Sequence, residues 1–416
     1  MEVVEIQVPG CKSASQRALI LAALAEGESR LHGLSDGEDT TYLIQALQIL
    51  GWELDENSTG EEGGRTVRIE GSQGPRTTSA KRVVIGEGGS TLRFLVPVLA
   101  AAPQDVVLEV AEGLRSRPQE AMQEVLEKCG ASLTPEEDGF RLQSRAIEPG
   151  QPVAVPTELS SQFLSGFLMA SGRQTRSWMP EGKLVSRGYL DLTLRMLRLF
   201  RGVDVLAAKE LPWRQEAGFG RGLELTIPSD VSGVVFFAVA AVLQQVPVRV
   251  TTPWDTLHPD TAVLDFLQQA DLLRVEGQVL HPKQPPSGIS AQQPLEFDLE
   301  DSPDSGPALA VLAAGMMGGI RFLHPERLRH KESDRIHGMK RLAEACGGRM
   351  EATEGSVWIG CTGQADWTQP FNPTNDHRLA MAAGIATLGY PAATILEPEC
   401  VAKSFPRFWE QLARLR

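Results

Sequence analysis

The residues best equipped for chemistry are eight cations and six carboxylates that lie at or near the starts of apolar helices. The cations are Lys12, Arg17, Arg93, Arg117, Lys331, Arg335, Arg378 and Lys403, and the carboxylates are Asp39, Asp230, Asp304, Glu332, Asp334 and Asp376. Arginine offers a planar fork suited to phosphate and carboxylate, and lysine a mobile point charge. Together they predict a ligand with several anionic groups. Carboxylates facing such cations are what proton transfer on an anionic substrate requires. Two plainer explanations compete: Asp230, Asp304 and Asp376 would also serve as N-caps, and Glu332, in "RHKESDRIHGMKR", also fits a salt-bridge network. Tyr189 and the run Ser160, Ser161, Gln162 would add neutral hydrogen bonds to hydroxyl groups.

These residues recur at a fixed interval. Six segments pair a short polar or glycine-rich start with a helix rich in Ala, Leu and Val: "CKSASQRALILAALAEG", "GEGGSTLRFLVPVLAAAP", "LSSQFLSGFLMASG", "PSDVSGVVFFAVAAVL", "DSPDSGPALAVLAAGMMGG" and "TNDHRLAMAAGIATLG". Anchored on Lys12, Gly89, Ser161, Asp230, Asp304 and Asp376, they are spaced by 77, 72, 69, 74 and 72 residues, which marks an internal repeat. Each interval holds a second, amphipathic helix that ends at glycine, as in "RPQEAMQEVLEKCGASL" and "DRIHGMKRLAEACGGRM", followed by a short alternating strand such as "VRIEG", "FRLQS" or "VWIGC". The unit is a small α+β module. Its first helix is apolar all round and therefore buried, and the amphipathic one covers the outside. Six modules predict two domains of three, each with its buried helices side by side. The N-termini of such helices present unpaired N–H groups and positive dipole ends, which suit anions. If both domains aim them at a common cleft, the polar starts line a binding site.

At 416 residues the chain is too long for one ordinary core. A net charge of −13 argues against general affinity for nucleic acid or anionic membrane, so an anionic ligand needs a local cluster of positive charge. Five scattered cysteines without CxxC spacing indicate neither a disulfide framework nor a zinc site. No apolar run reaches transmembrane length, and the N-terminal "MEVVEIQVPG" is not a signal sequence. The expectation is a soluble cytoplasmic protein.

The run "PGCKSASQRALILAALAEG" resembles the N-terminal signature of the 5-enolpyruvylshikimate-3-phosphate synthase family. "SSQFLSGFLMA", "RHKESDR", "NDHRLAM" and "CVAKSFPRFWEQL" resemble its other signatures, in the same order, over essentially the whole chain. The resemblance implies an α/β fold of two similar domains, 10–228 and 1–9 with 229–416. Each would repeat a βαβαββ-type unit three times around buried parallel helices, an inside-out α/β barrel, with the active site in the cleft between the domains. It implies transfer of the enolpyruvyl group of phosphoenolpyruvate to the 5-hydroxyl of shikimate 3-phosphate by addition and elimination, in the shikimate pathway to chorismate and the aromatic amino acids. Residue by residue, Lys12, Ser13, Arg17, Ser160, Ser161, Gln162, Ser186, Tyr189, Asp304 and Lys331 would hold shikimate 3-phosphate. Lys12, Gly89, Arg117, Gln162, Arg335, Arg378 and Lys403 would surround phosphoenolpyruvate, a site that the herbicide glyphosate occupies in the family. Lys12, Asp304 and Glu332 would be catalytic. The resemblance implies a monomer with the two substrates as its partners, and no cofactor or metal.

Three positions depart from the family pattern. "GEGGSTLR" has Glu87 where many relatives carry an asparagine beside the enolpyruvyl group, which would repel that ligand or pair with a neighbouring arginine. Phe94 follows Arg93 where proline is common, and "SRGYLD" has Arg187 and Gly188 in place of the usual Lys and Pro. The related transferase acting on UDP-N-acetylglucosamine carries a reactive cysteine in the loop that here reads "EGLRSRPQ", without one. A non-catalytic anion-binding relative would be expected to lose Lys12, Asp304 or Glu332, and all three are present.

Overall fold

Six helices are buried on nearly every side: α1 (Lys12–Leu24), α2 (Gly89–Ala100), α3 (Gln162–Ala170), α4 (Val231–Gln244), α5 (Gly306–Ala314) and α6 (His377–Ala386). They are the helices of the sequence repeat. The computed structural model describes residues 2–57, 64–145, 152–172, 176–202, 212–215, 217–284, 294–391 and 393–416. Contacts divide the chain into two units, Gly10–Ile227 and Met1–Pro9 with Pro228–Arg416. The first contains α1 to α3 and the second α4 to α6, and within each unit the three helices touch one another. Helix α4, "VSGVVFFAVAAVLQ", is rich in valine, a modest helix former, so burial in the core rather than propensity maintains it. Among the described residues no helix is long and apolar enough to cross a membrane.

Around the buried helices one sheet pattern recurs. Arg82–Gly86 pairs parallel with Pro103–Val110, which pairs antiparallel with Gly139–Arg145, itself antiparallel to Ala131–Glu136. Glu224–Thr226, Glu26–Leu34, Arg65–Ser72 and Glu53–Asn57 repeat that order. So do Val4–Ile6, Val248–Val250, Val279–Pro282 and Leu273–Glu276, and Leu295–Asp298, Ile320–Leu323, Ser356–Cys361 and Gly348–Thr353. Val153–Pro156, Arg176–Glu181 and Trp213–Gln215 form a three-stranded version. The segments "VRIEG", "FRLQS" and "VWIGC" are therefore the second strands of hairpins, not strands that follow the amphipathic helices directly. Among the described residues, the segment around α6 retains only an isolated bridge between Phe371 and Ile395.

One close approach sets the position of the second helix start. Pro97 lies inside α2 and has no N–H, so the carbonyl of Arg93, four residues earlier, loses its helical donor. Gly166 of α3 packs there, and a Cβ on it would lie 2.2 Å from the Arg93 oxygen. Glycine thus brings α3 against the turn of α2 that carries Arg93.

Candidate active site

In the unit containing α4 to α6, carboxylates and cations interlock around one guanidinium. Arg335 begins the helix Arg335–Ala345, whose N-cap Asp334 accepts from His337 N–H at 3.1 Å. Its side chain is fully buried. Nε lies 2.8 Å from Asp376 Oδ2, Nη1 2.7 Å from Asp304 Oδ1 and Nη2 2.7 Å from Glu332 Oε2. Each carboxylate has a further partner. Asp304 lies 3.4 Å from Lys331 Nζ and 3.6 Å from Arg378 Nη2, and Glu332 lies 3.5 Å from Lys403 Nζ. Asp376 accepts from Ser333 Oγ at 3.0 Å and caps α6 through the Arg378 N–H at 2.9 Å. Four cations therefore meet three carboxylates. Arg378, buried in the first turn of α6, also lies over the Phe236 ring at 5.9 Å, so the polar start of "TNDHRLAM" belongs to this cluster and is not a solvated first turn.

Electrostatics hold Asp304 and Arg335 charged. Burial disfavours the Asp304 carboxylate, but Lys331, Arg335 and Arg378 outweigh it and hold its pKa well below the usual carboxylate range. Burial also works against the Arg335 charge, yet Asp376, Glu332 and Asp304 raise its pKa well above the ordinary value. For Lys331 burial prevails over the pull of Asp304, and the pKa falls. Asp304 lies in the short turn Pro303–Ser305 ahead of α5 and caps nothing. Asp230 caps α4 through Ser232 N–H at 3.1 Å.

The unit containing α1 to α3 gathers a second set. Lys12, the first residue of α1, pairs with the buried Asp39 at 2.9 Å. Asp39 begins a network: its carbonyl lies 3.3 Å from Gln16 Nε2, which also donates to Thr91 Oγ1 at 2.9 Å, and Ser90 Oγ meets Gln16 Oε1 at 2.5 Å. Arg17 is buried with its pKa lowered to about 10 by that burial. It donates to Thr193 Oγ1, to Ser13 O and to Tyr189 O at 2.7, 2.8 and 3.1 Å, and lies over Phe94 at 4.8 Å. Arg93 donates to Gln162 Oε1 at 2.9 Å and to Gln119 Oε1 at 3.2 Å. Ser160 Oγ accepts from Gln162 N–H, and Ser161 Oγ donates to the carbonyl of Ser186, both at 3.2 Å. Ser186 has a left-handed backbone (φ 49°), turning the chain into the helix that carries Tyr189. At Gly89 an added Cβ would lie 3.1 Å from Arg117 Nη1, so the missing side chain is space beside that guanidinium.

Residues 3–412 match the family model of EPSP synthase (3-phosphoshikimate 1-carboxyvinyltransferase). The chain belongs to the EPSP synthase family. The 3-phosphoshikimate 1-carboxyvinyltransferases of Yersinia ruckeri and Laribacter hongkongensis are each 31% identical to it over 422 residues, covering 99% of this chain and 95% and 96% of theirs. The EPSP synthase of Acinetobacter baumannii superposes with a TM-score of 0.72 at 26% identity, covering 99% of this chain and 95% of that one. The enolpyruvyl transferase NikO from Streptomyces tendae, 19% identical with a TM-score of 0.69, shares the fold.

Each unit of this EPSP synthase family member gathers its own set of the expected residues. Asp304, Lys331, Glu332, Arg335, Arg378 and Lys403 come together in one unit. Ser13, Arg17 and Tyr189 share one hydrogen-bonded group in the other, where Ser160, Ser161, Gln162 and Ser186 form a second. Arg335 makes four hydrogen bonds to three carboxylates. Sequence reasoning missed Gln16, Ser90, Thr91, Gln119 and Thr193, which orient Arg93, Arg17 and the loop of Asp39. For Ser90 and Thr91 the signal was present, as polar residues in the first turn of a helix that is otherwise buried; Gln16 lies one turn into α1, and Gln119 and Thr193 lie at or on amphipathic helices, where polar residues are ordinary. It also missed Cys11, whose Sγ accepts from Ala14 N–H at 3.4 Å and caps α1.

Proposed function

We propose that this chain transfers the enolpyruvyl group of phosphoenolpyruvate to the 5-hydroxyl of shikimate 3-phosphate, releasing phosphate, with both sets of residues acting on one bound substrate pair. The observation that carries the reading is the Asp304 carboxylate, kept ionised among Lys331, Arg335 and Arg378 within a member of this family. Such a carboxylate is a weak base while its cations are undivided. Substrate phosphate and carboxylate groups that engage Lys331 and Arg378 weaken that hold, so Asp304 becomes a competent base once substrate is in place.

Asp304 then accepts the 5-hydroxyl proton as the oxygen bonds to C2 of phosphoenolpyruvate, and Glu332, in its protonated form, delivers a proton to C3. In the second half C3 returns that proton to Glu332, the C2–O bond to phosphate breaks as the departing phosphate takes the proton held by Asp304, and the vinyl group re-forms. Lys12 stabilises charge on the oxygens in transit, and Ser13, Arg17, Ser160, Ser161, Gln162, Ser186, Tyr189 and Lys331 hold shikimate 3-phosphate. Lys12, Gly89, Arg117, Gln162, Arg335, Arg378 and Lys403 surround phosphoenolpyruvate. Arg335 orients the carboxylates, and positioning two small anions together supplies much of the rate. In each unit the modules adopt the inside-out arrangement, helices within and sheets around them, a reading supported by the mutual packing of the buried helices and the repeated sheet order. Phosphate release measured with each acceptor tests the assignment. It should depend on shikimate 3-phosphate and persist with a chelator; release that depends on UDP-N-acetylglucosamine instead would overturn it.

A further inference from the structure

The unit containing α4 to α6 buries a carboxyl that this chemistry does not use. Asp260 precedes the helix Thr261–Gln269, is fully buried, and does not cap that helix with its side chain. Its Oδ2 lies 2.5 Å from Ser232 Oγ, in the first turn of α4. Its N–H donates to His258 Nδ1 at 3.2 Å. One residue earlier, the Pro259 carbonyl accepts from Ser302 Oγ at 3.1 Å. The Ser302 carbonyl in turn accepts from Ser305 Oγ at 2.7 Å, across the turn that presents Asp304. Residues 258–260 thus pack against the turn that presents Asp304 and are tied to the start of α4 by the Asp260–Ser232 contact and by His258, whose Nε2 lies 4.0 Å from the α4 cap Asp230.

The charge state of that carboxyl matters to its neighbours. Burial, the largest influence, and the nearby Asp304 raise the Asp260 pKa against the opposing pull of His258, Ser232 and Arg378. Arg378 already serves Asp304. An ionised Asp260 would compete for the same guanidinium, whereas a neutral acid can bond to Ser232 without doing so.

We propose that Asp260 is a positioning residue for Asp304, acting through its hydrogen bond with Ser232 and through the turn 258–260 that meets the Ser302–Ser305 turn. The proposal rests on the role of Asp304 given above. It is tested in the full chain with Asp260→Asn, Asp260→Ala and Ser232→Ala, with Asp304→Ala as control. Steady-state turnover with both substrates is measured together with equilibrium binding of shikimate 3-phosphate. Asparagine keeps a hydrogen-bonding group, so Asp260→Asn should stay close to the unmodified protein in kcat and in KM for phosphoenolpyruvate. A misplacement of about 1 Å costs on the order of 100-fold in rate, so a partial shift in Asp260→Ala should lower kcat about 10-fold while shikimate 3-phosphate binding is retained. Ser232→Ala should reproduce that loss, which keeps the proposal testable if Asp260→Ala does not fold. An Asp260→Asn protein as impaired as the alanine variants would show that charge is required and overturn the proposal. So would alanine variants with unchanged kcat. Full turnover in Asp304→Ala would overturn the role of Asp304 and this proposal together, an outcome distinct from the other two.

Discussion

Replacing Arg335 is the most direct test of the interlocked cluster. Arg335→Met keeps an unbranched side chain of similar length but removes the guanidinium that bonds Asp304, Glu332 and Asp376. Removing one partner of a buried ion pair costs about 3–5 kcal/mol, because the other charge is left uncompensated. Here the loss is uneven. Asp304 keeps Lys331 and Arg378, and Glu332 keeps Lys403. Among the described residues Arg335 is the only cation paired with Asp376. The expected cost is therefore near the lower end, about 3 kcal/mol. Arg335→Lys keeps the charge but cannot reach three carboxylates at once; charge-assisted hydrogen bonds contribute about 1.5–3 kcal/mol each, so a loss of about 2 kcal/mol is expected. Adding Asp376→Asn to Arg335→Met should recover part of the deficit by removing the stranded charge. Urea titration followed by circular dichroism provides the comparison, provided the slope is unchanged.

The pH dependence supplies a sign. Asp304 is held below its unfolded pKa, so its contribution is complete above the unfolded carboxylate value of about 3.9 and is lost as pH falls through the lower folded value. The gap between unmodified protein and Arg335→Met should narrow as pH drops below about 4. A cost below about 1 kcal/mol at neutral pH would refute the cluster as a buried charge network, since that is the range of exposed pairs.

Asp304→Ala and Glu332→Ala should each lower turnover about 100-fold or more, the scale of a positioned proton-transfer group. Near-normal kcat in Glu332→Ala would reduce that residue to an anchor for Arg335 and Lys403. Gly166→Ala puts a Cβ 2.2 Å from the Arg93 carbonyl, where backbone must move; overpacking of this kind costs about 1–3 kcal/mol, and a thermal midpoint equal to that of the unmodified protein would count against the close approach of α2 and α3. Gly89→Ala displaces the end of Arg117 by a few tenths of an ångström, from a contact of 3.1 Å. It should weaken inhibition by glyphosate, longer than phosphoenolpyruvate, more than it raises the KM for phosphoenolpyruvate, and equal losses for both would show that the glycine serves the backbone alone.

Helix identity, repeat length and the polar helix starts are local or periodic properties, and the sequence by itself determined them. A run as apolar as α4, or as α6 beyond its His377–Arg378 start, has no solvent-compatible face and must be buried wherever the chain goes. The caps of Asp230 and Asp376 lie within two residues of the N–H groups they bind, so the sequence made them candidates without deciding them. Partner choice at longer range was not legible. Nothing in "NDHRLAM" or "RHKESDR" says that Asp376 and Arg335, 41 residues apart, are ion-paired. Nor does any local signal distinguish Asp304, which caps nothing, from Asp230 and Asp376, which do. The sequence marks Arg17 and Arg335 only as cations near helix starts; that both are buried is decided by the tertiary structure. A guanidinium is stable there only where packing brings several acceptors within hydrogen-bond distance of its fork, and only the placement of the turns between helices decides which acceptors arrive.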